Sequence, residues 1–362
     1  MKRIQNVDKI RAIACLLVLM YHIWALCGSI PINIPFLREY INYGGTIGVT
    51  AFFVLSGYGI YSSFHATELS GHKISFKNFI VKRIKRIVPQ YYFNLLIALL
   101  FTGSAVYLTR DHLINIISHL FFFHSFSLDW HGAINGVLWT MAIIFQFYLI
   151  AIPLYYFVKK FKIWSVVIII LTTITAQFLT LNHFWIIDEN VYSSFAFSIP
   201  GRQLWTSLDN FVIGMYVAHL TATRKESTHH IPYTIGCITG ALLIYLQCLL
   251  GNRYGVWGRN LWNCSFHSLL AIVLGTLIFC ACNTKNSNSL FSRILLWIAK
   301  YEYGIYLWHL LIINNLLANS GLLRELLAHQ KLFWVYLILI SCSVLVGYLM
   351  THLLSRTNIS RK

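Results

Sequence analysis

The chain has 362 residues, 57% hydrophobic and 11% charged, with a mean hydropathy of +0.65. A soluble globular domain carries about 25% charged residues, so this composition excludes one and points to a polytopic membrane protein. The formal net charge of +17 would suit a nucleic-acid partner, but the basic residues cluster in short loops between apolar stretches, which argues against nucleic acid.

Candidate membrane spans run over 9–28, 47–64, 88–108, 136–157, 163–182, 204–222, 232–250, 265–283, 304–319 and 333–354. The first retains polar groups and lacks a small-residue cleavage site, so it reads as a span rather than a signal peptide. Residues 112–124 (HLINIISHLFFFH) are too short and His-rich to span and suit an interfacial or re-entrant segment. With both termini cytoplasmic, inside loops hold 20 Lys and Arg and outside loops 7, with Arg11 in the first span. That bias supports ten spans with N and C termini inside.

The expected fold is an all-α transmembrane bundle, one integral-membrane domain over 1–362 without an appended soluble domain. Neither an internal repeat nor a linker rich in Pro, Gly or Ser is visible. Two polar loops near 109–135 and 183–203 face outside and carry His112, His119, His124, His131, His183, Asp129, Asp188 and Glu189, which makes them candidate substrate contacts. His119 and His124 lack helical i, i+4 spacing, so no metal site is expected. The eight cysteines, mostly within spans, read as small apolar packers.

The most informative stretch is DKIRAIACLLVLMYH, from Asp8 to His22. Eleven helical steps separate Arg11 from His22, returning the side chain to within about 20° of the same face after a rise of about 16 Å. A cation near one membrane surface thus shares a face with an imidazole well inside the bilayer. Ionisable groups at that depth usually mark a site or pathway; a snorkelling Arg with an interhelical His is the plainer alternative.

Asp8 and Arg11 are spaced i, i+3, so the carboxylate can orient the guanidinium. Arg83 and Arg86 share a face at the entry to the third span and present forked donors suited to phosphate oxygens, just before Pro89. Lys73, Lys77, Lys82 and Lys85 read as positive-inside anchors. In the second span Gly48, Ser56, Gly57 and Gly59 give a small-residue face, expected to lie against the first helix near His22.

These residues resemble a known family. DKIRAIA with His22, then GVTAFFVLSGY from Gly48, then RIKRIVPQYY from Arg83, occur in the order and spacing of the membrane acyltransferase-3 family. VLWTM from Val137, QFYL from Gln146 and YGIYLWH from Tyr303 to His309 resemble its later motifs, so the likeness covers essentially the whole chain. One departure stands out. Where the family commonly writes two glutamates before its QFY, this chain has Ile144 and Phe145. Glu302 and the intramembrane Asp209 are the nearest carboxylates in character.

The resemblance implies a membrane O-acyltransferase, most often an O-acetyltransferase. It would move an acyl group from cytoplasmic acetyl-CoA to a hydroxyl of a surface polysaccharide or lipid-linked oligosaccharide, in the inner (cytoplasmic) membrane among membrane lipids. An alcohol is a poor nucleophile while protonated, so a base is needed; His22, desolvated and neutral, suits that role. Arg11 would orient the donor or stabilise the thioester oxygen, and Arg83 and Arg86 would hold the CoA phosphates. Ser56, Trp139, Tyr303, Tyr306 and Asp209 are candidate substrate contacts. A small-molecule transporter or an inactive scaffold homologue are the alternatives; the former usually shows internal repeats.

Overall fold

The structure, a computed structural model, describes residues 4–101, 110–127, 129–184, 199–223 and 231–357. Asp188 and Glu189 lie outside the described residues, as do the end of the expected 88–108 span and the side chain of His112. All regular structure described is helical. The helices are α1 (Gln5–Leu26), α2 (Pro35–Asn42), α3 (Gly44–Leu69), α4 (Phe76–Phe101), α5 (Arg110–Leu120), α6 (Trp139–Phe161), α7 (Ile163–Leu179) and α8 (Leu208–Thr223). They continue with α9 (Ile231–Tyr254), α10 (Leu261–Asn283), α11 (Leu290–Asn319), α12 (Gly321–Ala328) and α13 (Leu332–Thr357).

Among the described residues, seven helices are long and apolar enough to cross a membrane: α1, α3, α6, α7 extended to His183, α9, α10 and α13. The expected spans 88–108, 204–222 and 304–319 fall on α4, α8 and α11, outside that set. Their sequences say why: α8 has only 16 residues, and α4 and α11 carry charges within or beside their apolar stretches.

Helix α3 is the centre, with 67% of its apolar window buried, against 22% for the peripheral α13. It packs on α1 and α8; α1 also packs on α11, and α11 on α13. Peripheral helices keep apolar residues outward: Ile231, Ile235, Ile238, Leu242 and Leu246 are all exposed on α9, at spacings of three and four. A stripe of that kind suits lipid. This is a multi-pass membrane protein.

The small residues of α3 serve three surfaces rather than one. A Cβ at Gly48 would meet the Ala14 carbonyl and Val18 of α1, as the sequence suggests. Gly57 instead sits on the backbone of Phe211 in α8, and Gly214 of α8 sits reciprocally on that of Val54. Nine helical steps turn a side chain by about 180°, which puts Gly48 and Gly57 on opposite faces. Ser56 and Gly59, spaced i, i+3, line a cavity.

Buried amides tie other elements together. Asn94 Nδ2 of α4 donates to the Leu307 carbonyl of α11 at 3.0 Å, and Asn135 Nδ2 donates to Asn94 Oδ1 at 2.9 Å. With no water in a hydrocarbon region to satisfy them, such groups hold their helices in one register.

Gly57→Val and Gly214→Val each force apart two backbones in contact, so each should lower stability by about 1–3 kcal/mol. Gly59→Ala, with nothing within 4 Å of the added Cβ, should not. Thermal unfolding of detergent-purified protein followed by size exclusion tests the contrast.

Candidate functional site

Three cavities lie in series. The central one, about 270 Å³, is lined by Arg11, Ser56, Arg83, Arg86, Tyr148, Glu302 and Tyr303 among others. Arg11 Nη1 is 3.4 Å from Asp8 Oδ1 within α1, and Arg11 Nε is 3.6 Å from Glu302 Oε1 of α11. Arg83 is half-buried, its guanidinium over the rings of Phe79 at 5.3 Å and Tyr148 at 5.6 Å. Tyr303 donates its hydroxyl to the Ile87 carbonyl at 2.9 Å, joining α11 to α4. The three arginines that the sequence singled out therefore meet in one chamber.

On one side, Arg83 and Arg86 also line a basic cavity of about 500 Å³ between the ends of α3 and α4. On the other, Val49, Phe53 and Tyr306 separate the central chamber from a third cavity of about 290 Å³. That third cavity holds His22, Trp139, Arg202, Trp257 and His267. Tyr306 stands in the dividing wall, its hydroxyl paired with Thr140 Oγ1 at 2.9 Å and beside the ring of Phe52.

The imidazole of His22 is fixed by α11. Its Nδ1 lies 3.0 Å from the Val18 carbonyl and 3.0 Å from His309 Nε2, and His309 Nδ1 lies 2.6 Å from the Tyr306 carbonyl. A carbonyl only accepts, so the His309 proton sits on Nδ1 and leaves Nε2 as an acceptor. His22 Nδ1–H then donates to that nitrogen and to Val18, and His22 Nε2 is left with its lone pair. These tautomers follow from the partners rather than from visible hydrogens. His309 is 1% exposed and lines none of the three cavities, so it stands behind His22. A base oriented by a buried second group is the arrangement that nucleophile activation requires.

Arg202 seats its guanidinium over Trp139 at 4.8 Å and Trp257 at 5.7 Å. Such cation–π seating holds the charge beside the His22 cavity.

Residues 4–352 match the acyltransferase domain family. The chain belongs to the membrane acyltransferase-3 family. It is similar to YrhL of Bacillus subtilis (strain 168), named as a peptidoglycan O-acetyltransferase, with 26% identity over 332 residues. That alignment covers 84% of this chain and 48% of YrhL. It is similar also to the O-acetyltransferase OatA of Staphylococcus aureus (strain NCTC 8325 / PS 47), 26% identical over 330 residues, covering 84% of this chain and 49% of OatA. The chain spans about half the length of these curated relatives. No solved structure matches it.

In α6, Ile144 and Phe145 stand where the family commonly has glutamates. Ile144 lines the central chamber, and Glu302 of α11 lines the same chamber; Phe145 instead stacks on Phe122 at 4.3 Å. Asp209 is 1% exposed, accepts from the Asn210 amide at 2.8 Å and reaches none of the three cavities.

The candidate contacts divide between chambers: Ser56 and Tyr303 sit with the arginines, Trp139 with His22, and Tyr306 touches both. Trp308, beside them in the sequence, is buried with its ring 5.7 Å from Phe93.

The loop histidines are also placed differently from a solvated loop. His119, His124 and His131 are buried, with the first two rings stacked at 3.9 Å and His131 stacked on Trp139 at 5.4 Å. Residues 110–127 fold inward because Gln146 and Gln203 bond their backbone: Gln146 Nε2 to Phe122 O at 3.1 Å, Gln203 Nε2 to Ser125 O at 2.6 Å.

Sequence reasoning did not single out His309, Arg202 or His267. The YGIYLWH motif contains His309, and its seven-residue offset from Glu302 repeats two helical turns. That was the available signal for His309.

Arg11→Met strands the largely buried Glu302 and should cost roughly 1–3 kcal/mol, whereas Glu302→Met leaves Arg11 beside Asp8 and should cost less. The double variant should lose less than the sum. A double-mutant cycle on unfolding midpoints checks this.

Proposed function

We propose that the protein is an acyl-CoA-dependent O-acyltransferase, most simply an O-acetyltransferase, acting on a hydroxyl of an extracytoplasmic glycan. The observation that carries this is the series of three cavities, leading from clustered arginines to an oriented imidazole. Ten spans with both termini cytoplasmic, in the inner membrane, agree with the 20-to-7 loop bias. In that orientation the basic cavity opens to the cytoplasm and the His22 cavity toward the outside. The name of YrhL favours peptidoglycan as the acceptor; another surface polysaccharide or a lipid-linked oligosaccharide presents the same hydroxyl chemistry.

The donor diphosphate sits against Arg83 and Arg86, with Arg11 orienting the chain beyond it. The pantetheine arm passes Tyr306 and brings the thioester to His22, about 16 Å along α1 from Arg11. That rise is too long for Arg11 to reach the thioester oxygen, so its role is donor orientation. Arg202, whose guanidinium lines the same cavity as His22, faces the charge that develops on that oxygen.

His22 Nε2 takes the acceptor proton as the hydroxyl oxygen attacks the thioester carbon. The C–S bond then breaks, and the imidazolium returns the proton to the CoA sulfur. His309 holds His22 in the tautomer that leaves Nε2 basic. Trp139 and Trp257 offer flat faces for a sugar ring. Metal chemistry is not needed by this scheme.

The deciding experiment is acetyl-CoA binding and slow hydrolysis by purified protein in nanodiscs. Wild type should bind the donor and release free CoA; His22→Ala should bind but not release. Turnover retained in His22→Ala would sink the base assignment, and no donor binding by wild type would favour a transporter or scaffold. His309→Leu should lower turnover about 100-fold with donor affinity intact. His309→Gln, whose amide oxygen can accept from His22 Nδ1, should recover part of the loss.

A further inference from the structure

The basic cavity holds more positive charge than a diphosphate at Arg83 and Arg86 uses. Besides those arginines it is lined by His72, Lys73 and Lys82, with the hydroxyls of Thr67 and Ser70. No carboxylate lines it among the described residues. Ser75 and Asn78 also line it, and Asn78 N donates to Ser75 Oγ at 3.3 Å, so the first turn of the 26-residue α4 borders the cavity. The amides ahead of Asn78 at this helix start favour an anion there.

We propose that this cavity is a second phosphate subsite, in which Lys73 and Lys82 take the 3′-phosphate of the CoA donor. The proposal rests on acyl-CoA being the donor. If the acyl arm points to His22 and the diphosphate lies at the shared arginine wall, the ribose end of the donor must lie on the far side of that wall. The basic cavity lies there, and its volume of about 500 Å³ exceeds that of the central chamber. The group arriving there is a phosphomonoester, carrying close to two negative charges at neutral pH. Lysines suit it as mobile point charges, whereas the ring-seated Arg83 suits the diphosphate at a fixed position. The lysines are exposed, so they contribute to affinity and donor choice rather than to the fold.

The test compares binding of CoA and 3′-dephospho-CoA by the full chain in phosphatidylcholine nanodiscs, by calorimetry. Wild type should bind CoA about tenfold more tightly than 3′-dephospho-CoA. The Lys73→Ala/Lys82→Ala double variant should lose that preference while binding 3′-dephospho-CoA within about twofold of wild type. Equal wild-type affinities would overturn the subsite and leave the donor assignment standing. A loss equal for both nucleotides, or one seen only when phosphatidylglycerol is added, would assign the lysines to a general field or a lipid headgroup instead. Failure of wild type to bind either nucleotide would overturn the donor assignment, and this subsite with it.

Discussion

Helices α1 and α11 are joined by polar contacts at two levels, and the site depends on that coupling. At one level Arg11 meets Glu302 at 3.6 Å; at the other His22 meets His309 at 3.0 Å. Both numbers rise together, so the helices run in the same direction. A charge or imidazole inside an apolar bundle is costly unless partnered, and each contact supplies the partner from the facing helix. Sliding one helix past the other by a single residue would strand both pairs. The register of the site is thereby set by electrostatics as much as by packing.

The same constraint explains why the arginines and His22 occupy separate chambers. Arg11 and His22 share a face of one helix yet stand about 16 Å apart, so no compact ligand touches both. A long, thin donor of the kind proposed would. Tyr306, hydrogen-bonded to Thr140 and set beside Phe52, stands in the wall between them. In the proposed reaction this wall lets a pantetheine arm through while keeping the bulky nucleotide and the sugar apart, on opposite sides of the membrane.

The close approach of α3 to α8 and α1 makes room for these chambers. Gly57 and Gly214 let two backbones touch, while Gly48 does the same toward α1. With α3 locked on two faces, its third face, carrying Ser56 and Gly59, stays open toward the arginines. Small residues lie where helices meet, and the space remains in the chambers.

Much of this was legible in the sequence. The low charge and long apolar runs dictate a helical membrane bundle, because backbone groups in hydrocarbon must bond within their own segment. The Arg11–His22 spacing and the Arg83–Arg86 pair marked residues that the fold places along the cavities, since helical periodicity is local and buried ionisable groups are rare. Periodicity within one helix cannot tell which other helix it faces. Glu302 sharing the central chamber with Ile144, His309 standing behind His22, Arg202 joining them from a distant loop and the burial of His119, His124 and His131 all rest on contacts between segments far apart in the chain. Local sequence dictated the helices and their chemistry; tertiary packing alone decided which charges became partners, because the cost of an unpaired polar group is settled only when helices meet.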